Sequence, residues 1–403
     1  MQYNYISNLG KYFRLTKYPP VFIGGKNEIL IDKNGSKYLD FACGSGTSVL
    51  GHQNNFIIKN LTKVVNRGFI HSGPHFLSSD HYKFFNELSN FLDKRFSIFN
   101  LATNGTEATE TALKLAFHHT NKRKIIYFEG SYHGRTGYAL SSSGMKGINN
   151  NFFTNTNFIK CKFNSIEDFK KKFIKHKKDL AAVIIEPIQA TSGFIFSESK
   201  FLKEIRRITT NHNKLLIFDE VWTGFGKTGF DFGYNYYKIK PDILILGKSL
   251  ACGLPLGLVA FTKKINHNFP GAQSSTFQGN ILAINSSLLF LKYIKKIKYL
   301  DKIENISINM KTEMKKLEKF KFVKKIRGVG FMWGIEIDTK YFENPDYTNL
   351  IRYNLLKNKL ITWECGKNSN VIGLIPPIII PSSSIKKAFN IILKTFNKIN
   401  IKI

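Results

Sequence analysis

The sequence predicts an α/β protein, with a large, mostly parallel, doubly wound sheet and a smaller α+β domain built from both chain ends. Three observations carry this prediction. Short apolar runs recur at IIYFEG (125–130), AAVIIEP (181–187), LLIFDE (215–220), ILILGK (243–248) and LVAFT (258–262), each of strand length and composition. Amphipathic stretches with helical spacing lie among them, such as TEATETALKLAFHH (106–119) and ESKFLKEIRRITTNH (198–212). The runs are apolar on both faces, as strands are when helices cover both sides of a parallel sheet.

Taken in chain order, NEILIDKNGSKYLDFA (27–42), with its DKNG turn, reads as a small antiparallel piece. The strand–helix alternation follows. After about residue 290, charged helical sequence leads to VGFMWGIEID (329–338), a short strand near VIGLIPPIII (371–380) and a final helix. A chain of 403 residues exceeds the ~250–300 at which single cores stop growing, so two domains are expected. The division that fits is 1–50 and 291–403 as parts of the small domain, with 51–290 as the large ligand-binding one.

Composition narrows the function. No apolar stretch approaches the ~20 residues of a membrane span, and MQYNYISNLGKYFRLTKYPP has no basic segment followed by an apolar one, so no leader is expected. The four cysteines (Cys43, Cys161, Cys252, Cys365) form no CxxC pair and the ten histidines show no ligand spacing, which predicts reduced thiols, a cytoplasmic setting and no metal. The formal charge of +32 suggests a polyanion partner, but the lysines spread along the whole chain with only short runs, as around 170–178. No nucleic-acid module accompanies them, so no specific nucleic-acid partner is expected.

Lys248 is the residue with the most chemical meaning. It ends an apolar strand-like run and opens a glycine-rich loop, where an ammonium loses hydration and its amine becomes a usable nucleophile. A carbonyl-bearing cofactor is the natural partner of such an amine. Asp219 ends LLIFDE, one strand–helix–strand step earlier, which would set both at neighbouring carboxyl ends of the sheet, where ligands bind. A buried aspartate there would hold a cationic ring nitrogen protonated; taken alone, however, Asp219 reads more readily as a cap of the next segment. Asn104-Gly105-Thr106 opens a helix, either as a phosphate site at its N-terminus or as an ordinary cap. In SYHGRTG (131–137), Tyr132 offers a flat ring and Arg135 a fork suited to a carboxylate, though both also suit an exposed turn.

The segments NGTEA, YHGRT, IIEPIQ, LLIFDEVWTGFGKTG, PDILILGKSLACGLPLG and STFQGN resemble, in this order, the class III pyridoxal-phosphate aminotransferases of acetylornithine, ornithine and 4-aminobutyrate type. The likeness runs from YLDFACGSGTSVLGH (38–52) through RGVGFMWGIEI (327–337) to the prolines near 376. It implies fold type I, pyridoxal 5'-phosphate as cofactor and a homodimer with active sites at the subunit interface. By the same resemblance, Lys248 is the Schiff-base lysine and Asp219 the partner of the pyridine nitrogen. Val221 and Tyr132 flank the ring, Gly105 and Thr106 hold the phosphate with Thr276 of a second subunit, and Ser275 lies near the substrate. Arg135 matches the arginine that grips a substrate carboxylate, and Glu186 supports the surroundings of Asp219.

Three positions depart from that pattern. Thr191 and Gly373 stand where many ornithine-type members pair a glutamate with an arginine that receives an α-carboxylate. Both partners are absent together, as charge compensation requires. Another arginine, a different acceptor such as pyruvate, or a substrate that stays bound would each accommodate the loss. Trp222 replaces a glutamine that commonly meets the cofactor's phenolic oxygen; it either reshapes that pocket or packs outward on the second domain. The expected activity is transfer of an amino group from an ω-amino or diamino acid donor to a keto-acid acceptor. An aminomutase or amino-acid epimerase on the same scaffold is the alternative, followed by a non-catalytic basic binding protein.

Overall fold

The computed structural model describes residues 19–148, 155–268, 271–344 and 346–400. The opening segment read as lacking a leader lies outside them through residue 18. At the centre is a seven-stranded sheet: β1 (Phe96–Ala102), β2 (Lys124–Phe128), β3 (Phe158–Cys161), β4 (Leu180–Ile185), β5 (Leu215–Asp219), β6 (Ile243–Leu246) and β7 (Gly257–Thr262). Its spatial order is β1-β7-β6-β5-β4-β2-β3. Strands β6, β5, β4, β2 and β3 pair in parallel, and β7 runs against both of its neighbours. Chain length explains the exception. Residues 247–256 are too few for a helical crossover, so the chain after β6 returns antiparallel.

The central strands divide their side chains between two cores with period two. Val183, Ile185, Leu216, Phe218, Leu244 and Leu246 face one core; Ala182, Ile184, Leu215, Ile217, Ile243 and Ile245 face the other. Helix α1 (Gly105–Thr120) covers the second face with Ala108, Ala112 and Ala116, small residues that let it lie close to the strands. Asp219 continues the row of Leu215 and Ile217, which points it toward α1. Strand β3, FIKC, has no apolar run that would announce it. It sits at the sheet's edge, with Ile159 only partly buried against the core and Lys160 exposed. The lysine-rich stretch lies on the helix Ile166–His176, which buries Phe169 and Phe173 and turns its lysines outward.

The antiparallel piece read near the N-terminus comprises Phe22–Lys26, Ile29–Asp32 and Lys37–Asp40, but it is completed by Leu360–Ile361 added in parallel. That long-range partner carried no local signal. A second four-stranded antiparallel sheet runs Val323–Val329, Met332–Ile337, Val371–Leu374, Trp363–Cys365. In it Arg327, Gly334, Gly373 and Trp363 form one cross-strand row, so their side-chain positions share a face. Among the described residues, no helix is long and apolar enough to cross a membrane.

Candidate active site

The parallel pairing of β5 with β6 sets Asp219 beside Ile245, so Asp219 and Lys248 emerge together at the carboxyl ends of adjacent strands. Lys248 follows an extended Gly247 and starts a short 3-10 turn, Lys248–Ala251. Its φ of +45° is unusual for a residue with a side chain, and such strain gathers at functional sites. The amine lies 4.3 Å from the centre of the Trp222 ring. Burial pulls its pKa down to about 8, partly opposed by the negative charges of Asp219 and Glu186.

Asp219 is only 5 % exposed. Its Oδ1 accepts from the Val221 amide at 3.0 Å, and its Oδ2 lies 2.7 Å from His133 Nδ1. With a carboxylate as acceptor, Nδ1 is the donor; the opposite ring atom, Nε2, is buried without a partner. Glu186 accepts from the Tyr132 amide at 2.7 Å. Burial, reinforced by the nearby charge of Asp219, pushes the Glu186 carboxyl well above its ordinary range. Glu220 emerges on the opposite face. There it accepts from Tyr234 N (2.7 Å) and Thr223 Oγ1 (2.8 Å), and burial raises it to about 7.

Helix α1 begins with Asn104, whose side chain accepts from Glu107 N at 3.0 Å, leaving the amides of Gly105 and Thr106 at the helix N-terminus. A Cβ on Gly105 would lie 3.1 Å from a Val221 methyl, and one on Gly247 would lie 3.5 Å from the other, so Val221 is seated between two glycines. Gly134 (φ +143°) lets the loop after β2 approach α1: a Cβ there would lie 2.6 Å from Thr106 Cγ2. Glu110 of α1 clamps the same loop by accepting from Ala139 N (2.9 Å) and Tyr138 N (3.2 Å). Arg135 is exposed, its Cζ 5.9 Å from the Tyr132 ring centre.

Gly105, Thr106, Tyr132, Glu186, Asp219, Val221 and Lys248 are thus gathered at one end of the sheet, with Arg135 exposed beside Tyr132. Ser275 and Thr276 are held elsewhere. The Ser275 amide donates to Gln278 Oε1 (3.1 Å), and the exposed Thr276 offers its carbonyl to His71 Nε2 (2.6 Å).

The departures from the pattern meet on the other side of Lys248. Trp222 is 4 % exposed and packs its ring 4.4 Å from that of Trp363, at 40°. Both readings of Trp222 therefore hold in part: it adjoins the lysine and also packs on the C-terminal sheet. Gly46 makes room for it, since a Cβ there would lie 2.4 Å from the indole. Thr191 uses its carbonyl to accept from Gly366 N (2.9 Å), and a Cβ on Gly373 would meet Trp363 Cε3 at 3.0 Å. The fully buried Lys227 donates to the Gly46 carbonyl at 2.8 Å and lies 5.1 Å from the Trp222 ring; burial lowers its pKa to about 7.

Sequence reasoning missed three of these residues. His133 stood inside SYHGRTG, next to an assigned tyrosine, and Lys227 inside FGKTG. A histidine in a loop at the carboxyl end of a parallel strand, the sheet end at which Asp219 emerges, was a usable signal. Trp363 had none, because only the tertiary fold brings it to the cleft.

The model of the family described as Aminotransferase class-III matches residues 17–396. An acetylornithine aminotransferase of Clostridium acetobutylicum is 32% identical, with 97% of this chain and 98% of that protein covered. A LysW-aminoadipate semialdehyde/glutamate semialdehyde transaminase of Sulfolobus acidocaldarius is also 32% identical, covering 94% and 95%. Among solved structures, an ornithine aminotransferase of Toxoplasma gondii with PLP at its active site superposes with a TM-score of 0.86 at 27% identity, covering 95% and 92%.

Proposed function

The chain belongs to the class III aminotransferase family, and we propose that it moves an amino group from a carboxylate-bearing diamino or ω-amino acid to a keto acid. It is a pyridoxal-phosphate-dependent enzyme, and the cleft fits that cofactor. The observation that carries the reading is the Lys248 amine, lowered to about 8, set at adjoining strand ends with a buried, doubly hydrogen-bonded Asp219. The Gly105 and Thr106 amides suit a phosphate. Asp219 suits the ring nitrogen, Val221 and Tyr132 suit the two ring faces, and Lys248 suits the aldehyde. When bound, the cofactor supplies that aldehyde and a ring that withdraws electrons from the carbon carrying the amine.

In this reading the chain's own residues divide the remaining tasks. His133 donates to Asp219 and fixes the orientation of its carboxylate. Glu186 holds the backbone of Tyr132, and burial beside Asp219 pushes its carboxyl well above its ordinary range. Lys248, partly free base near neutral pH, accepts the proton leaving the donor's Cα and hands it on. Arg135 receives the donor's carboxylate from the cleft rim.

The exposed position of Thr276, with Ser275 half-buried beside it, supports their completing the cleft of a second copy in a homodimer. Four free cysteines, three of them buried, support a reducing, cytoplasmic setting. The division at residues 50 and 290 remains the reading of the domains. No relative named above is an aminomutase or epimerase. A screen of amino donors against keto-acid acceptors, with products identified by mass spectrometry, tests the proposal. Bleaching of the cofactor's visible band by a diamino or ω-amino acid is expected. A protein that binds the cofactor but reacts with no amine would refute it.

A further inference from the structure

The wall beside Lys248 on the side of Trp222 is aromatic, and among the described residues the cations near it are engaged with other groups. Trp222 and Trp363 stack at 4.4 Å, and Phe194 meets Trp363 edge-on at 5.9 Å and 64°. Two glycines paired across neighbouring strands make room for the outer rings. A Cβ on Gly334 would lie 2.7 Å from Phe194, and one on Gly373 would lie 3.0 Å from Trp363. A side chain at position 373 would therefore press on the indole of Trp363 and require it to shift. Trp222 and Phe194 are buried, and Trp363, half-buried, is the most accessible member of the wall.

Among the described residues, the neighbouring cations spend most of their donors elsewhere. Arg327, in the same cross-strand row, donates from Nη1 to Glu336 (2.6 Å) and from Nε to the Gly193 carbonyl (2.9 Å). Lys227 is enclosed and donates to the Gly46 carbonyl. Lys248 is the reacting amine itself. A carboxylate lying on Trp363 would lose water without gaining a charged partner, whereas an apolar group would lose water favourably and stack on the indole.

We infer that the Trp222–Trp363–Phe194 wall selects an uncharged apolar substituent, aromatic or branched alkyl, on the amine that reacts at Lys248. The molecule's carboxylate then lies toward Arg135. This rests on the transaminase reading of the cleft and deepens it by naming the substrate class: monocarboxylates with an apolar arm, in preference to dicarboxylates.

The test uses inert acids on the holoenzyme. Binding of 3-phenylpropanoate and of glutarate is followed by tryptophan fluorescence and, independently, by calorimetry. The wild type is expected to bind 3-phenylpropanoate at least about tenfold more tightly. Trp363→Ala is expected to bring the two within about threefold. Trp363→Ala combined with Gly373→Arg is expected to favour glutarate, and folding is verified by retention of the cofactor's visible band. Glutarate binding as tightly as 3-phenylpropanoate in the wild type overturns the inference, and so does a tenfold preference that survives Trp363→Ala. The parent reading fails separately. If no amine bleaches the visible band while the acid preference holds, transamination is wrong and the wall stands; bleaching without the preference leaves transamination and removes the wall.

Discussion

The two sides of Lys248 are built on opposite principles. On the Asp219 side, every group that matters is polar, and most of its hydrogen-bonding capacity is spent: Asp219 on His133 and Val221, Glu186 on Tyr132, the 131–139 loop on Glu110. On the Trp222 side, the contacts are ring on ring, over glycines that would not tolerate a Cβ without movement. A buried charge left without its partner is costly, so the first side resists piecemeal change. An aromatic wall is constrained chiefly by volume and tolerates exchange of one apolar shape for another. The polar side therefore suits a chemistry shared across a family, and the aromatic side suits a choice of substrate peculiar to one member.

That contrast breaks most sharply at Lys248. Lys248→Ala is expected to abolish the covalent cofactor band and to reduce turnover by at least about a thousandfold, while circular dichroism stays unchanged. Turnover within tenfold of wild type would remove Lys248 from the chemistry. Asp219→Asn keeps the shape and removes the charge, leaving His133 facing a neutral amide. A loss of about a hundredfold in turnover, with weakened cofactor retention on dialysis, is expected; unaltered kinetics would make Asp219 merely a cap.

Lys227 probes the enclosed edge of the aromatic side through stability. Its folded pKa of about 7 lies below the ordinary lysine value of 10.5, so the unfolded chain binds more protons between those limits. The destabilisation is therefore full below about pH 7 and fades as pH rises toward 10.5. In cofactor-free protein, the stability gained by Lys227→Met should be about 2 kcal/mol larger at pH 6 than at pH 9. Denaturant melts at the two pH values check this, and a gain independent of pH would mean that Lys227 titrates normally. The smallest effect is expected at the rim. Arg135→Ala should raise KM for a carboxylate-bearing donor about tenfold with kcat within about twofold, and should leave a simple amine unaffected.

How much was legible follows the same division. The strands ending at Asp219 and leading to Lys248 were readable because runs buried on both faces are continuous in sequence. The helix start at Asn104 was readable because its capping and glycine are local. His133 and Lys227 lay inside motifs already singled out, yet their partners, Asp219 and the Gly46 carbonyl, are distant in the chain. The addition of Leu360–Ile361 to the N-terminal strands, and the stacking of Trp363 on Trp222, had no local trace at all.

By itself the sequence determined the α/β class, singled out Lys248 with Asp219 as the candidates for chemistry, and marked the departure at Thr191 and Gly373. The first two depend on residue type and on spacing within single strand–loop–helix steps, whereas the departure at Thr191 and Gly373 was legible only through the resemblance to a family. Only the tertiary structure decided what fills the vacated side of the cleft. The row Arg327, Gly334, Gly373, Trp363 is a property of strand register, set by packing between segments that pair only once the chain has folded.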